Sequence, residues 1–274
     1  MTEKENSKQD YIVVSFSGGK DSTAMLLKMI EIGERIDEVI FCDTYKEYPA
    51  MYRHVEKVRA VAENAGIKFT ILKREKSFDY FFLEYRASRG FFEKHRDIKG
   101  RSWATSKIRW CTKEMKIKVV QNYLRSLNAK YNVIQCVGIA ADETYRINRK
   151  GNREKNKRLP LVEWGMSEKD CLKYCYDKGY DWEGLYEIYD RVSCWCCPLQ
   201  SLKSLRSLYK HFPEFWQELK EMDKKTWRKF QVNYSVADLE KRFKFEEERI
   251  NQGLPIKGKE FYSQLKKLIN GGTY

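Results

Sequence analysis

The sequence predicts an α/β fold built on a doubly wound parallel sheet, and three observations predict it. Four short runs rich in β-branched and aromatic residues, at 11–16, 38–44, 68–73 and 132–139, alternate with stretches of helical periodicity. The first three arrive as two βα units in succession, which right-handed crossovers turn into neighbouring parallel strands. The first run also ends in Ser17-Gly18-Gly19-Lys20-Asp21-Ser22, a glycine turn opening a helix at the strand edge where ligands of such sheets gather.

The elements follow in order. Residues 11–16, Tyr-Ile-Val-Val-Ser-Phe, read as a buried strand, and the apolar-periodic helix at 24–30 follows the glycine turn, with Gly33 near its end. Adjacent Gly18 and Gly19 let the backbone turn sharply and approach a ligand, while the unpaired N–H groups of the new helix point at an anion. The spacing is not GxxxxGK[ST], because lysine follows directly on two glycines. The strand at 38–44 delivers Asp43 and Thr44 to the same sheet edge, where a carboxylate suits ribose hydroxyls or a base edge. A helix over 48–65 closes at Gly66, and 68–73 is the third strand.

Residues 77–95 read as a helix with Phe78, Tyr80, Phe81, Phe82, Tyr85, Phe91 and Phe92 as a core or interface stripe. A basic loop at 97–107 follows. Thr112 reads as the N-cap of a helix running to about 127, which places Cys111 just ahead of a helix N-terminus where a thiolate is stabilised. The fourth strand, 132–139, leads through Gly138 to Asp142, Glu143 and Arg146. Residues 149–158 read as a mobile basic loop and 159–164 as an extended segment; Ser167 caps the next helix, whose Cys171 and Cys175 form a packed face. Beyond Pro198 come three charged helices, at 200–222, 224–230 and 235–250, in which Phe212, Phe215, Trp216, Trp227 and Phe230 anchor the tail or meet a partner. The expected division is a nucleotide-binding domain at 1–198, including the cysteine cluster, and a helical extension at 199–274.

At 274 residues with a formal net charge of +14, the chain suits a polyanionic partner, either nucleic acid or a phosphorylated substrate. No stretch approaches the roughly 20 apolar residues of a membrane span, and the first ten residues are charged, so a cytoplasmic location is expected. Eight cysteines in a reducing compartment then read as ligands, redox groups or small hydrophobes rather than disulfides. Cys194-Trp195-Cys196-Cys197-Pro198 puts up to three sulfurs within reach of one centre, and Cys111 makes a fourth. All-sulfur ligation suits iron-sulfur or zinc, whereas only His54, His95 and His211 are available for mixed ligation or imidazole catalysis.

The segment 17–22 resembles the SGGxDS pyrophosphate loop of the PP-loop ATP pyrophosphatases, the superfamily of the phosphoadenylylsulfate (PAPS) reductases. The likeness runs over about 11–198. Phe41-Cys42-Asp43-Thr44 is similar to the family's second nucleotide-contacting segment, Gly138 to Arg146 to its G-I-x-x-D-E-S-x-x-R edge with Arg146 one position early, and Arg109-Trp110-Cys111-Thr112 with the later CxxCP to its cluster-bearing thiolation and DNA phosphorothioation branches. The resemblance implies an ATP site in which Ser17, Gly18, Gly19, Lys20, Asp21 and Ser22 bind pyrophosphate, Lys20 offsets developing charge, Asp21 helps to hold Mg2+, Asp43 and Thr44 meet the nucleoside, and Gly138 lines the edge where Arg146, or Arg149 three residues on, faces the phosphates. It implies a 4Fe-4S cluster on Cys111, Cys194 and Cys197, with Cys196 either a fourth ligand or a free redox thiol that leaves one iron open, and with zinc as the alternative. The expected reaction cleaves ATP to AMP and pyrophosphate, adenylating an acceptor for sulfur transfer to nucleic acid or a nucleotide, with a sulfur-donor or electron-donor protein as partner. The sulfonucleotide reductases carry a C-terminal E-C-G-x-H cysteine, and no cysteine follows Cys197 here. A divergent reductase and a nucleotide-sensing or nucleic-acid-binding subunit without turnover are the alternatives.

Overall fold

The computed structural model describes residues 8–86, 97–152 and 154–271. The chain forms two compact units, Met1–Glu75 with Cys111–Cys194, and Lys76–Trp110 with Trp195–Tyr274. The aromatic stretch before Cys111 thus groups with the C-terminal helices. Within the second unit Phe82 packs on Trp103 and Trp103 on Phe230, while Phe78 and Phe81 meet Trp110.

In the first unit the strands are β1 (Asp10–Phe16), β2 (Glu38–Asp43), β3 (Lys68–Lys73), β4 (Asn132–Val137) and β5 (Lys157–Arg158). They form one parallel sheet in the order β3-β2-β1-β4-β5, with Phe16 beside Phe41 and Ser15 beside Val137. The chain runs outward from β1 to β3 and then resumes on the other side of β1, so the strand order reverses between β1 and β4. That reversal opens a crevice at the carboxyl ends of these two strands.

Side-chain alternation covers both sheet faces. Val13, Ile40, Leu72 and Val133 point to one face and meet Val119, Val120, Tyr123, Leu124 and Leu127 near or on helix α3 (Lys118–Asn128). On the other face Phe16 packs against Phe41, Phe69 and His54, the last from α2 (Pro49–Asn64). Helix α1 (Lys20–Glu31) follows β1 directly. Among the described residues no helix is long and apolar enough to cross a membrane.

Several local expectations change. The basic loop contains β5, whose two residues pair with Gln135 and Cys136; Arg158 is fixed there by Glu34 and Glu163, at 2.9 and 2.5 Å. A strand of two charged residues leaves no periodicity to read. Residues 144–147 make a short helix, α4 (Thr144–Ile147), and the segment expected as extended holds α5 (Pro160–Glu163), with proline at its first turn, where its missing N–H costs nothing. Thr112 is not an N-cap: Cys111 is already helical, and Thr112–Ile117 is π-helical ahead of α3. Ser167 does cap α6 (Glu168–Asp177), in a reciprocal capping box with Asp170. A last short helix of this unit is α7 (Leu185–Ile188).

The second unit begins with a π-helical turn, Tyr80–Glu84. Phe78, Phe81 and Phe82 are buried, as a core stripe requires, whereas Tyr80 and Tyr85 are only half-buried; Phe91 and Phe92 lie outside the described residues. The long helix expected after 200 is broken by Pro213 into α8 (Leu202–His211) and α9 (Pro213–Lys224). Residues 225–230 are not helical, because Phe230 packs edge-on to Trp103 at 4.9 Å and the Trp227 indole donates to Gly100 O at 3.1 Å. Helices α10 (Val236–Asn251) and α11 (Lys259–Ile269) complete the unit.

Candidate functional site

The glycine turn sits at the crevice between β1 and β4. Gly18 has φ +79°, a conformation open mainly to glycine, and Gly19 is the N-cap of α1 without any side-chain cap. The turn is braced on all sides. Ser22 Oγ accepts Ser17 N–H at 3.1 Å and lies 2.9 Å from Ser17 Oγ. Trp182 Nε1 donates to Gly18 O at 2.7 Å, and Tyr186 Oη accepts Lys20 N–H at 2.9 Å. Behind them, His54 is buried 4.4 Å from the Trp182 ring, its Nε2 2.9 Å from Thr23 Oγ1. Burial pushes the His54 imidazole down to about 4, so it is neutral.

Gly138 has a different role from the other glycines. A Cβ there would stand 2.8 Å from Ser22 Cα and 2.9 Å from Ser22 N, both backbone atoms. The end of β4 therefore presses on the first turn of α1, and glycine permits the approach.

Lys20 is almost fully buried, and its ammonium lies 2.9 Å from Asp21 Oδ1 and 2.7 Å from Glu168 Oε1. Burial alone would lower its pKa, but hydrogen bonds and charge from Glu168 and Asp21 outweigh that and raise it. Asp21 is held above the usual carboxylate range by burial, with Glu168 and Glu143 adding repulsion against the pull of Lys20. Carboxylate oxygens of Asp21, Glu143 and Glu168 lie within 4.8 Å of one another. Three hard oxygen donors converging beside an anion-receiving helix end fit Mg2+. Glu168 is brought there by Asp142, whose Oδ1 accepts the Glu168 N–H at 3.0 Å.

The remaining edge residues have partners within the protein. Arg146 ion-pairs with Glu143 at 2.6 Å, so its nearest anion is a carboxylate. Asp43 is buried and engaged internally: it accepts from Tyr45 N and Tyr52 Oη, each at 2.8 Å, and meets Lys73 at 3.3 Å. Thr44 donates to Glu47 at 3.1 Å. The sequence reading missed Glu143 and Glu168 as partners of Asp21, and His54, Trp182 and Tyr186 as braces. Glu143 lay in a segment already singled out, while the others become neighbours only through long-range packing.

Residues 11–200 match the family described as phosphoadenosine phosphosulfate reductase domain. The chain belongs to that family. It is 26% identical over 223 residues to an uncharacterized protein of Methanocaldococcus jannaschii, covering 76% of this chain and 40% of that protein. The chain thus spans well under half the length of that relative. A solved structure, the U34-tRNA thiolase NcsA from Methanococcus maripaludis with its [4Fe-4S] cluster, matches 80% of this chain and 73% of its own at 14% identity, with a TM-score of 0.39.

The cysteines of this family member sort into two sets. Burial pushes Cys42 and Cys136 up to about 11, Cys171 up to about 12 and Cys175 higher still, which keeps them as inert thiols in the first unit's interior. The Cys175 Sγ donates to Lys20 O at 3.5 Å, beneath the glycine turn. The four candidate ligands divide between the units, Cys111 and Cys194 in the first, Cys196 and Cys197 in the second. None of the eight is in a disulfide. Cys194 Sγ lies 3.7 Å from Thr44 Oγ1 and 3.4 Å from Glu47 Oε1, and Lys116 Nζ is 3.5 Å from the same Glu47 oxygen. In the second unit the Cys-Cys-Pro turn is tied down by Gln200, which donates from Nε2 to Trp195 O at 3.0 Å, and by Gln231 Nε2, which donates to Pro198 O at 3.1 Å. The donor set is all thiol, which fits iron-sulfur or zinc.

Proposed function

We propose that this PAPS reductase-family chain is an ATP pyrophosphatase-type sulfurtransferase. It cleaves ATP to AMP and pyrophosphate to adenylate an acceptor oxygen on nucleic acid or a nucleotide, which sulfur then displaces. The observation that carries the reading is Lys20, held between Asp21 and Glu168 at the N-terminus of α1 in the crevice of the sheet. Phosphate oxygens replace the carboxylates as partners of Lys20, and the turn's N–H groups receive the pyrophosphate. The acceptor oxygen attacks the α-phosphorus and the bond to the β-phosphate bridging oxygen breaks. Pyrophosphate leaves with that electron pair, and its growing negative charge faces Lys20. A sulfur nucleophile then bonds to the acceptor carbon, and AMP departs with the carbon–oxygen electron pair.

Asp21, Glu143 and Glu168 would hold Mg2+, which shields phosphate charge when bound. Cys111, Cys194, Cys196 and Cys197 would hold a 4Fe-4S cluster, which supplies sulfur or electron transfer when bound. Asp43, which is held by Tyr45 N–H, Tyr52 Oη and Lys73, would meet the nucleoside.

The test is anaerobic incubation of the full chain with ATP, Mg2+, a sulfide source and a panel of RNA, DNA and nucleotide acceptors. AMP and pyrophosphate forming in equal amounts support the reading. ATP binding without either product on any acceptor overturns it in favour of a non-catalytic subunit, and sulfite release from PAPS overturns it in favour of a reductase.

A further inference from the structure

The second unit carries a groove of about 720 Å³ that the nucleotide site does not use. Three segments line it: Ala104, Thr105 and Ser106; Pro198 to Gln200; and the turn from Trp227 to Tyr234. The last segment is built to stay open. Gln231 and Tyr234 exchange main-chain hydrogen bonds at 2.9 and 3.3 Å, which closes a tight turn and leaves Val232 at its tip 89% exposed. Gln231 Nε2 ties the turn to Pro198 O and Gln200 O, so the two walls are held at a fixed separation.

The chemistry of the lining is specific. Trp227 is 37% exposed, with its indole N–H anchored on Gly100 O, which fixes the plane of the ring. The Arg228 guanidinium lies 4.7 Å from the centre of that ring, and its main-chain N–H is fixed on Ser102 Oγ at 3.2 Å. Among the described residues Arg228 has no carboxylate partner, whereas Lys229 meets Asp238 only at 3.5 Å with its side chain 58% exposed. The lining includes Arg228 and Lys229 and no acidic residue. A rigid indole, a guanidinium stacked on it, a second cation, and hydroxyls and amides from Thr105, Ser106, Gln200 and Asn233 form a surface for flat bases joined by phosphates.

We propose that this groove binds single-stranded nucleic acid, with a base on the Trp227–Arg228 platform and the flanking phosphates on Arg228 and Lys229. The occupant follows from charge complementarity: the walls are basic, the chain carries +14, and an apolar peptide would leave Arg228 desolvated without a counter-charge. The proposal deepens the sulfurtransferase reading by assigning the acceptor's docking surface, and rests on it for the biological meaning of that docking.

The experiment is fluorescence anisotropy of labelled mixed-sequence 12-mer RNA and DNA with the full chain, at two salt concentrations and without ATP. Wild-type protein binds one or both, more weakly at high salt. Arg228→Glu and Trp227→Ala each weaken binding about tenfold or more, and Trp227→Phe restores most of the loss because stacking survives. Thermal unfolding identical to wild type for Arg228→Glu shows that the loss is local. The RNA and DNA arms identify the acceptor's sugar. Absence of oligonucleotide binding overturns the proposal, and so does binding that Arg228→Glu leaves unchanged. Adenylation is scored separately: binding lost in Arg228→Glu while wild type makes no AMP would retain the groove and sink the sulfurtransferase, whereas AMP formation with unchanged binding would do the reverse.

Discussion

The hydroxyl of Tyr186 accepts the main-chain N–H of Lys20 at 2.9 Å. An uncharged acceptor from 166 residues downstream thus satisfies the first N–H of α1. Removing it with Tyr186→Phe leaves that donor without its acceptor, and the unliganded protein loses about 1 kcal/mol of stability in urea titration. Affinity for ATP stays level or rises, because phosphate takes over the hydrogen bond. A tenfold fall in affinity by calorimetry would instead make the hydroxyl a ligand contact.

Lys20→Met removes the cation between Asp21 and Glu168 while keeping most of the side-chain volume. The three carboxylates of Asp21, Glu143 and Glu168 then face one another without it. ATP turnover drops by about 10²- to 10³-fold, as for loss of a charge-stabilising group, and pyrophosphate release under saturating ATP measures it. Turnover within threefold of wild type would remove Lys20 from the chemistry.

Gly138→Ala tests the close approach of β4 to α1. The new Cβ meets backbone at 2.8 Å, which no rotamer relieves, so the first turn of α1 must shift. The expected cost is about 1–3 kcal/mol in stability, with a larger proportional loss of ATP affinity than of secondary structure by circular dichroism. Gly33→Ala is the contrasting variant: nothing lies within 4 Å of its Cβ, its φ of +70° alone opposes it, and ATP affinity is unchanged.

His54 sets a pH dependence whose sign is fixed by its direction of shift. Its folded value is about 4 against 6.5 for a solvent-exposed histidine, so between these values the unfolded chain binds more protons. The contribution is fully present above pH 6.5 and is lost as pH falls toward 4, on the order of 3 kcal/mol in all. Urea titrations at pH 7 and 4.5 measure it, and His54→Gln flattens this part of the difference. An equal pH response in wild type and variant would contradict the assignment.

The two cysteine sets separate on metal removal. In anaerobically purified protein, Cys197→Ser lowers bound iron and the visible iron-sulfur chromophore severalfold, whereas Cys136→Ser leaves both near wild type. A colourless wild type with about one zinc per chain would replace iron with zinc at the same thiols.

The four longer strands were legible because apolar residues fall on both of their faces, as Val13 and Val14 do in β1, whereas the two charged residues of β5 gave no such signal. The glycine turn was legible because its conformation demands particular residues: Gly18 needs positive φ and Gly138 needs the absence of a Cβ. Asp43 marked the sheet edge, but its engagement by Tyr52 and Lys73 depends on where a helix and the next strand come to rest. Glu168 and Tyr186 were illegible for the same reason, being brought to Lys20 by the packing of α6 and the chain after it rather than by any local pattern. Residues 225–230 read as helical because charge periodicity resembles a solvated helix, and the aromatic anchoring of Phe230 and Trp227 overrides it.

Trp182, Glu183 and Gly184 all have positive φ, at 50°, 54° and 81°, and this cramped turn is what aims Trp182 and Tyr186 at the backbone of residues 18–20. During synthesis the glycine turn leaves the ribosome early, but two of its clamps emerge more than 160 residues later. A nascent chain that has already formed β1, β2 and β3 still lacks these two contacts on the glycine turn. A fragment ending before residue 182 therefore keeps the Ser17–Ser22 hydrogen bonds of the turn but lacks the Trp182 and Tyr186 contacts that hold Gly18 and Lys20.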